Sequence, residues 1–298
     1  MIAWIDACHG IGGFRLGFSR AGWPHPVFAF DIHERLVHFY NLKFGGESHV
    51  ADIFDVVRTP EKWIKEKKVD LVVCGAPCQP FSHANAKRQR DKNPNWEGAD
   101  PRIYIPFAAC ELAARLQADF VIENVLGILD YWRGEYFARF LAFCEAHGFA
   151  VGWTYMDCSA FGVPSRRRHV LIFGALKKRL AERAGPILEL FDRGFGEESE
   201  ILPFKRETSY LPFRVVSQRH TLGFGQYVVF ELFNEENFRL RSFGLREVEF
   251  LLGFPPGYTD ELPHTLADQA LADAFPPPAA EFLGKSLILV GNPPFRES

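Results

Sequence analysis

Two residues in this 298-residue chain combine the right side chain with the right setting for chemistry. Cys78 lies in Ala-Pro-Cys-Gln-Pro-Phe-Ser, a turn stiffened by prolines, directly after the apolar run D-L-V-V-C at 70–74. A strand there delivers the thiol to the carboxyl end of an open α/β sheet, the usual ligand crevice, where it can serve as a nucleophile. Glu123 sits near the end of a second apolar run, D-F-V-I-E-N-V, in surroundings that favour its protonated form and let it deliver a proton. A carboxylic acid beside a thiol suits addition to an electron-poor ring. Taken singly, each reads equally well as a buried cysteine or as a strand-end carboxylate satisfied by backbone.

A third feature is the run from I-A-W-I-D-A-C into H-G-I-G-G-F-R-L-G, with Gly10, Gly12, Gly13 and Gly17 at a strand-to-helix junction. Glycines there let a ligand approach the backbone at a helix N-terminus. The spacing is not that of the dinucleotide fingerprint, because position 15 is arginine. Asp31 ends the next strand and is placed to accept from ribose hydroxyls, while Asp52 is either a surface residue or a contact to an adenine amino group.

These residues need a scaffold, and the pattern of apolar runs supplies one. Strands are expected near 2–7, 27–31, 69–74, 119–123, 151–156 and 169–174, with helices near 14–21, 34–43, 103–117 and 135–147. Several strands are almost continuously apolar, as buried parallel strands are, so the expected fold is a doubly wound, mostly parallel α/β sheet. After Gly174 the rhythm gives way to basic sequence punctuated by Pro and Gly, with short β-like runs such as 227–232, and a smaller second domain is expected there. Helical patterns return at 245–252 and 278–290, and the second is expected to pack back on the sheet.

Composition narrows the classes. A hydrophobic fraction of 47% supports a substantial core. The net charge of −3 does not by itself announce a nucleic-acid partner. The basic clusters Lys87–Arg88–Arg90–Lys92, Arg166–Arg168 with His169, Lys205–Arg206 and Arg214–Arg219–His220 each read as readily as solvated surface. Six cysteines without C-x-x-C spacing argue against a disulfide framework and against a zinc site. No apolar run reaches membrane-spanning length and the start has no basic n-region, so cytoplasmic residence is the default expectation for a prokaryotic or phage source, and nuclear residence for a eukaryotic one.

Together these residues closely resemble the motifs of the cytosine-5 DNA methyltransferase family, over roughly 1–174 and 239–290. The resemblance implies a class I, Rossmann-like catalytic domain at 1–174 and a target-recognition domain at 175–238. A supporting segment would follow at 239–268, and a C-terminal segment at 269–292 would return to complete the cofactor pocket. Asp6, Gly10, Ile11, Gly12, Gly13, Asp31, Ile32, Asp52, Ile53 and Pro77 would then line a site for S-adenosylmethionine, whose product is S-adenosylhomocysteine. Cys78 would attack carbon 6 of a cytosine flipped out of a DNA duplex, and Glu123 would contact its ring nitrogen 3 and exocyclic amine. Arg167 and His169, in F-G-V-P-S-R-R-R-H-V at 161–170, would orient the base and the catalytic loop. Ser82, Lys87, Arg88, Arg90, Arg102, Arg166, Arg168, Arg214 and Arg219 would contact nucleic acid, with 82–102 matching a loop that closes over DNA. The implied chemistry needs no metal, and the implied assembly is a monomer on double-stranded DNA whose activity does not require a cognate restriction endonuclease.

The chain departs from the family pattern at four places. Cys8 stands where an aromatic is common, and Ala272-Asp273 where Gly-Asn is usual. In the pattern Gln-x-Arg-x-Arg the matching residues are Ser165, Arg167 and His169, so the last arginine, the donor to the base carbonyl, is replaced. Compensation by a neighbouring arginine, Arg168 or Arg166, is expected. Two rivals remain: an enzyme acting on transfer RNA, for which no Cys-Phe-Thr element is present, and a weakly catalytic DNA-binding regulator, against which the intact Pro77-Cys78-Gln79 and Glu123 stand. If 175–238 reads DNA, replacing Arg214 and Arg219 together with alanine weakens binding and flattens its salt dependence by about one unit of slope per lost phosphate contact. Titrations at several salt concentrations that give an unchanged slope and sequence preference would contradict that placement.

Overall fold

Short apolar runs become strands here because residues buried on both faces of a sheet need no polar alternation. The computed structural model describes residues 2–46, 48–66, 68–83, 100–163, 167–182, 186–187, 213–222, 225–234 and 239–288, with backbone alone for those within 213–241 and for 288. Its main sheet comprises β1 (Trp4–Ala7), β2 (Phe28–Asp31), β3 (Ser48–Val50), β4 (Leu71–Gly75), β5 (Asp119–Val125), β6 (Phe149–Asp157) and β7 (Arg168–Leu176), in the order β3-β2-β1-β4-β5-β7-β6. The strands from β3 to β5 pair in parallel, and β7 runs antiparallel to both β5 and β6. The order reverses between β1 and β4, so their carboxyl ends flank the crevice in which open sheets bind ligands. All six expected strands are present. The unexpected one, β3, is three residues long and too short to carry a pattern.

The helices are α1 (Gly13–Arg20), α2 (Glu34–Phe44), α3 (Ile53–Arg58), α4 (Pro60–Trp63), α5 (Ile105–Leu116), α6 (Gly127–Asp130), α7 (Glu135–Ala146), α8 (Lys177–Ala181), α9 (Leu245–Leu252), α10 (His264–Asp273) and α11 (Pro277–Ile288). Alternation along the strands sorts them into two layers. Phe120, Ile122, Val170 and Ile172 face Val56, Ala109, Leu112 and Phe140 of α3, α5 and α7. Val121, Leu171 and Phe173 face the other way, into a core shared with Phe14, Phe18, Leu252, Leu271 and Leu283 of α1, α9, α10 and α11. None of the described helices is long and apolar enough to cross a membrane.

Helices α9, α10 and α11 thus cover the same face as α1, as the sequence pattern implied for α11. A Cβ on Gly17 would lie 2.4 Å from the Ala280 Cβ and 2.5 Å from the Pro277 carbonyl oxygen, so α1 and α11 touch almost backbone to backbone. Trp23 Nε1 donates to the Gly284 carbonyl across the same junction (2.9 Å). The turn between α9 and α10 is held from within. The buried Glu249 carboxylate accepts from Gly257 N (2.5 Å), Thr259 N (2.7 Å) and Thr259 Oγ1 (2.6 Å). Helix α10 carries no legible apolar stripe in sequence, because its buried positions are Ala267, Ala270 and Leu271, two of them alanines.

Beyond α8 a three-stranded antiparallel sheet, β8 (Phe213–Leu222), β9 (Gly225–Asn234) and β10 (Arg239–Ser242), lies in the order β10-β9-β8 beside α10. Its two long strands of ten residues each exceed the short β-like runs expected there.

Replacing Gly17 with alanine tests the α1–α11 contact. Alanine gains about 1 kcal/mol of helix preference over glycine, but inserting a methyl against fixed backbone costs about 1–3 kcal/mol. The urea midpoint of Gly17→Ala is therefore expected to fall with an unchanged m-value. A raised midpoint would show that the helices separate at little cost.

Candidate active site

The turn after β1 is built around two left-handed glycines, Gly10 (φ 56°) and Gly12 (φ 81°), the latter capping α1. The glycines differ in what they face. A Cβ on Gly10 would meet open space, whereas one on Gly12 would strike the Phe44 ring at 2.5 Å and one on Gly13 the Phe275 carbonyl oxygen at 2.0 Å. A side chain at Gly10 would thus face open space, whereas glycine at 12 and 13 leaves room for the Phe44 ring and the Phe275 carbonyl. Gly10 N donates to Asp31 Oδ2 (3.0 Å) and His33 N to Asp31 Oδ1 (2.9 Å), which fixes that carboxylate at the end of β2. Ile32 beside it is 68% exposed, and Ile11 and Ile53 are buried in the core. Asp52 caps α3 by accepting from Phe54 N (2.9 Å).

Asp6 is wholly buried under this turn. Tyr40 Oη donates to its Oδ2 (3.0 Å), while Oδ1 has no hydrogen-bond partner among the described residues. Burial pushes its carboxyl up to about 7, against the Tyr40 hydrogen bond and the charge of Arg15, which pull it down. An unsatisfied buried acceptor, a glycine facing open space and a fixed carboxylate at the next strand end together fit a ligand that brings a cation or donors to one end and hydroxyls to the other. Two further residues that sequence reading passed over brace the turn. His9, held neutral by burial, donates from Nδ1 to the Gly10 carbonyl (2.8 Å), leaving Nε2 to accept from the Ser48 hydroxyl (2.5 Å).

Cys78 lies three residues past Gly75, whose partner in the β4–β5 ladder is Glu123. The loop is pinned at both ends. Phe81 N and Ser82 N donate to the Cys78 carbonyl (3.0 and 2.9 Å), and Asn124 Nδ2 donates to the Ala76 carbonyl (3.1 Å). Pro77, Cys78 and Gln79 are half-buried. The Cys78 Sγ contacts Asp273 Oδ1 at 3.9 Å, and Gln79 Nε2 donates to Asp273 Oδ2 at 2.8 Å. Arg102, ion-paired with Asp100 (2.5 Å), donates to Gln79 Oε1 (3.3 Å), so it braces the loop from the solvent side. Sequence reading missed Asp273 as a neighbour of the thiol. Its signal was there, as the departure from Gly-Asn, but it pointed to the cofactor pocket.

Glu123 and His169 are both buried, and Oε1 of the first is hydrogen-bonded to Nδ1 of the second. The ladder explains the pairing. His169 lies opposite Val125, and Glu123 lies opposite Leu171, so the two are diagonal neighbours on one face. Phe275 meets the imidazole edge to face at 5.3 Å. The expected compensation by a neighbouring arginine does not hold for Arg168: alternation turns it out to solvent at the head of β7. Arg167 reaches the carbonyls of Leu271 (3.2 Å) and Ala272 (2.5 Å), a cation closing the last turn of α10.

Ser82 is half-buried behind Cys78. Lys87, Arg88, Arg90 and Arg166 lie outside the described residues, as do the side chains of Arg214 and Arg219, whose backbone belongs to β8. Of the other cysteines, Cys74, Cys110, Cys144 and Cys158 are buried as small apolar residues, and burial pushes the Cys158 thiol up to about 12. Cys8 is half-buried at a left-handed φ of 53°, its thiol held well above the usual range by hydrogen bonding with Cys74 and then by burial.

The family described as C-5 cytosine-specific DNA methylase matches residues 2–211. Type II methyltransferase M.AgeI of Thalassovita gelatinovora is 33% identical over 177 residues, which are 57% of this chain and 39% of that protein, so the matched stretch spans about two fifths of that relative. Type II methyltransferase M.NlaX of Neisseria lactamica is 29% identical over 248 residues, covering 78% of this chain and 72% of that protein. The crystal structure of S. pombe Dnmt2 methyltransferase superposes with a TM-score of 0.60 at 18% identity, over 97% of this chain and 99% of that one, a likeness of fold.

The buried Asp6 carboxyl makes stability depend on pH. Its folded value of about 7 lies above the ordinary aspartate value of 3.8, so the folded state binds more protons between them. Its contribution is complete below pH 3.8 and is lost as pH rises toward 7, at up to about 1.4 kcal/mol per pH unit. Asp119, also raised by burial to about 6, adds to that slope in any variant that keeps it. Asp6→Asn removes the first share alone, so its stability relative to the wild type should rise from pH 4 to pH 7. Parallel urea-unfolding curves across that range would show that Asp6 is not the buried titrating group.

Proposed function

This chain belongs to the C-5 cytosine-specific DNA methylase family, and on that premise we propose that it transfers a methyl group from S-adenosylmethionine to carbon 5 of cytosine in DNA. The observation that carries the reading is the pair at neighbouring strand ends: a thiol held in a pinned proline turn and a buried carboxyl, joined through the Gly75–Glu123 register. Asp6, Gly10, Asp31, Ile32, Asp52 and Pro77 are the residues that would hold the cofactor. When bound, S-adenosylmethionine supplies an electrophilic methyl group and leaves as S-adenosylhomocysteine.

Cytosine is a poor nucleophile at carbon 5 and is closed to attack inside a duplex, so the base must first be extruded, at a cost of a few kcal/mol. Addition of the Cys78 sulfur to carbon 6, with loss of any thiol proton and with Glu123 giving a proton to ring nitrogen 3, turns carbon 5 into an enamine-like nucleophile. After carbon 5 is alkylated, loss of its proton expels Cys78. His169 orients Glu123 for the proton transfer. Arg167 keeps the end of α10 beside the thiol through the Leu271 and Ala272 carbonyls. The names of M.AgeI and M.NlaX, Type II methyltransferases, support DNA as the substrate. A cytoplasmic monomer, active without a nuclease partner, completes the proposal, with 175–238 as the region that selects the target.

Single-turnover assays with duplex DNA test it. Cys78→Ala should abolish transfer and leave DNA binding largely intact. Glu123→Gln should slow transfer at least about a hundredfold, the low end of what a positioned general acid contributes. DNA carrying 5-fluorocytosine should trap a covalent adduct with the wild type plus cofactor and none with Cys78→Ala. An adduct that persists in Cys78→Ala would refute the nucleophile.

A further inference from the structure

In this chain the nucleophile has an acidic neighbour. Helix α10 ends on Asp273, and its carboxylate is shared between two residues of the proline turn, 3.9 Å from Cys78 Sγ through Oδ1 and 2.8 Å from Gln79 Nε2 through Oδ2. At that distance a thiol S–H points a weak hydrogen bond at Oδ1. The position is enforced from three sides. Gln79 holds the second oxygen, Arg167 closes the last turn of α10 through the carbonyls of Leu271 and Ala272, and Phe275, two residues on, is buried against Phe14 (ring centroids 4.7 Å apart).

Two electrostatic consequences follow from a carboxylate at this place. A negative charge beside a sulfur disfavours a free thiolate, so the resting nucleophile is held as the thiol. The same carboxylate is also a proton acceptor within reach of that thiol, so the proton can leave as the sulfur attacks. Among the described residues, the ionisable groups nearby are the Arg102 guanidinium with Asp100, the Arg167 guanidinium, and the buried Glu123–His169 pair on β5 and β7. Arg102 is held above the ordinary arginine range first by Asp100, with Asp273 and Cys78 adding to it, so a cation already sits close to both. It balances the carboxylate's charge but, as a donor only, cannot take the proton.

We propose that Asp273 is a catalytic residue, the general base that accepts the Cys78 thiol proton as Sγ attacks the base. The proposal rests on the reading of Cys78 as the nucleophile. In the step the S–H bond breaks and its proton passes to Asp273 Oδ1, while the sulfur electron pair forms the bond to carbon 6. The carbon 5–carbon 6 π pair shifts to the carbon 5–carbon 4 bond, and the carbon 4–nitrogen 3 π pair takes the proton given by Glu123. When Cys78 is later expelled, Asp273 returns the proton to sulfur. Thiol activation and base activation are thus divided between two carboxyl groups on separate elements, Asp273 on α10 and Glu123 on β5.

Asp273→Asn separates the two consequences, because asparagine keeps an acceptor for Gln79 but removes the charge and the base. Two readouts are taken on one preparation. The first is alkylation of Cys78 by iodoacetamide at pH 7, followed on the Cys78 peptide by mass spectrometry. The second is single-turnover methyl transfer to duplex DNA, with Cys78→Ala as the blank. The expected result is opposite signs: alkylation about tenfold faster, since a like charge near the thiolate is gone, and transfer at least about tenfold slower. In Asp273→Ala, added formate should restore part of the transfer rate in proportion to its concentration, whatever the variant's stability. Equal alkylation rates in the wild type and Asp273→Asn would overturn the coupling. Transfer that stays as fast or becomes faster in Asp273→Asn, or an Asp273→Ala variant blind to formate, would overturn the base. A wild type that transfers no methyl group to DNA would overturn the functional reading and the proton step with it, while the alkylation comparison, which needs no turnover, would still report on the charge beside the thiol.

Discussion

The constraint on which the rest of the structure depends is the close contact between the first helix and the last. Interaxial spacing between helices is set by the side chains at the contact, and here there are almost none: Gly17 meets Ala280 and the Pro277 carbonyl, and Gly284 lies against Phe18 and Ala21. That contact brings the end of the chain back over the face of the sheet where β1 begins. Phe275 is drawn in with it, stacked on Phe14 and edge-on to His169, with its carbonyl filling the space a side chain at Gly13 would need. Asp273 therefore reaches Cys78, 195 residues earlier in sequence, through the packing of α1 on α11.

Polar groups inside this frame are few, and each is fixed. Glu249 accepts three hydrogen bonds from the turn at 257–259, Asp6 takes one from Tyr40, and Glu123 is bonded to His169. A buried polar atom left without its partner costs about 1–3 kcal/mol, so such bonds hold loops as firmly as apolar contacts do. Asp6 Oδ1 is the exception near the crevice, which is why the ligand reading of that turn rests on it more than on the glycines.

The α/β core was legible because buried parallel strands announce themselves: D-L-V-V-C and D-F-V-I-E-N-V could be little else, and their ends delivered Cys78 and Glu123 side by side. What could not be read were contacts between distant elements. Nothing in the sequence near Gly13 tells that its missing side chain makes room for Phe275, and α10 hides because two of its three buried residues are alanines. β3, at three residues, is shorter than any period. The partner of His169 was hidden for a different reason: the strand register that sets the imidazole diagonal to Glu123 is not written in the sequence.

Histidine at that position makes chemical sense once the neighbour is considered. An arginine is a donor only: it can give hydrogen bonds to a carboxylate or to the carbonyl oxygen of a protonated carboxyl, but it cannot accept from the carboxyl O–H. The imidazole Nδ1 can donate to a carboxylate or, in the other tautomer, accept from a carboxyl O–H, so the contact survives either protonation state of Glu123. The surroundings favour such a reversible bond: both side chains are buried, and Phe275 covers the ring on one side. On the proposed mechanism Glu123 begins the addition as a proton donor and ends it as an acceptor. At position 169 a histidine can therefore meet Glu123 as donor or as acceptor, whereas an arginine would meet it as donor alone.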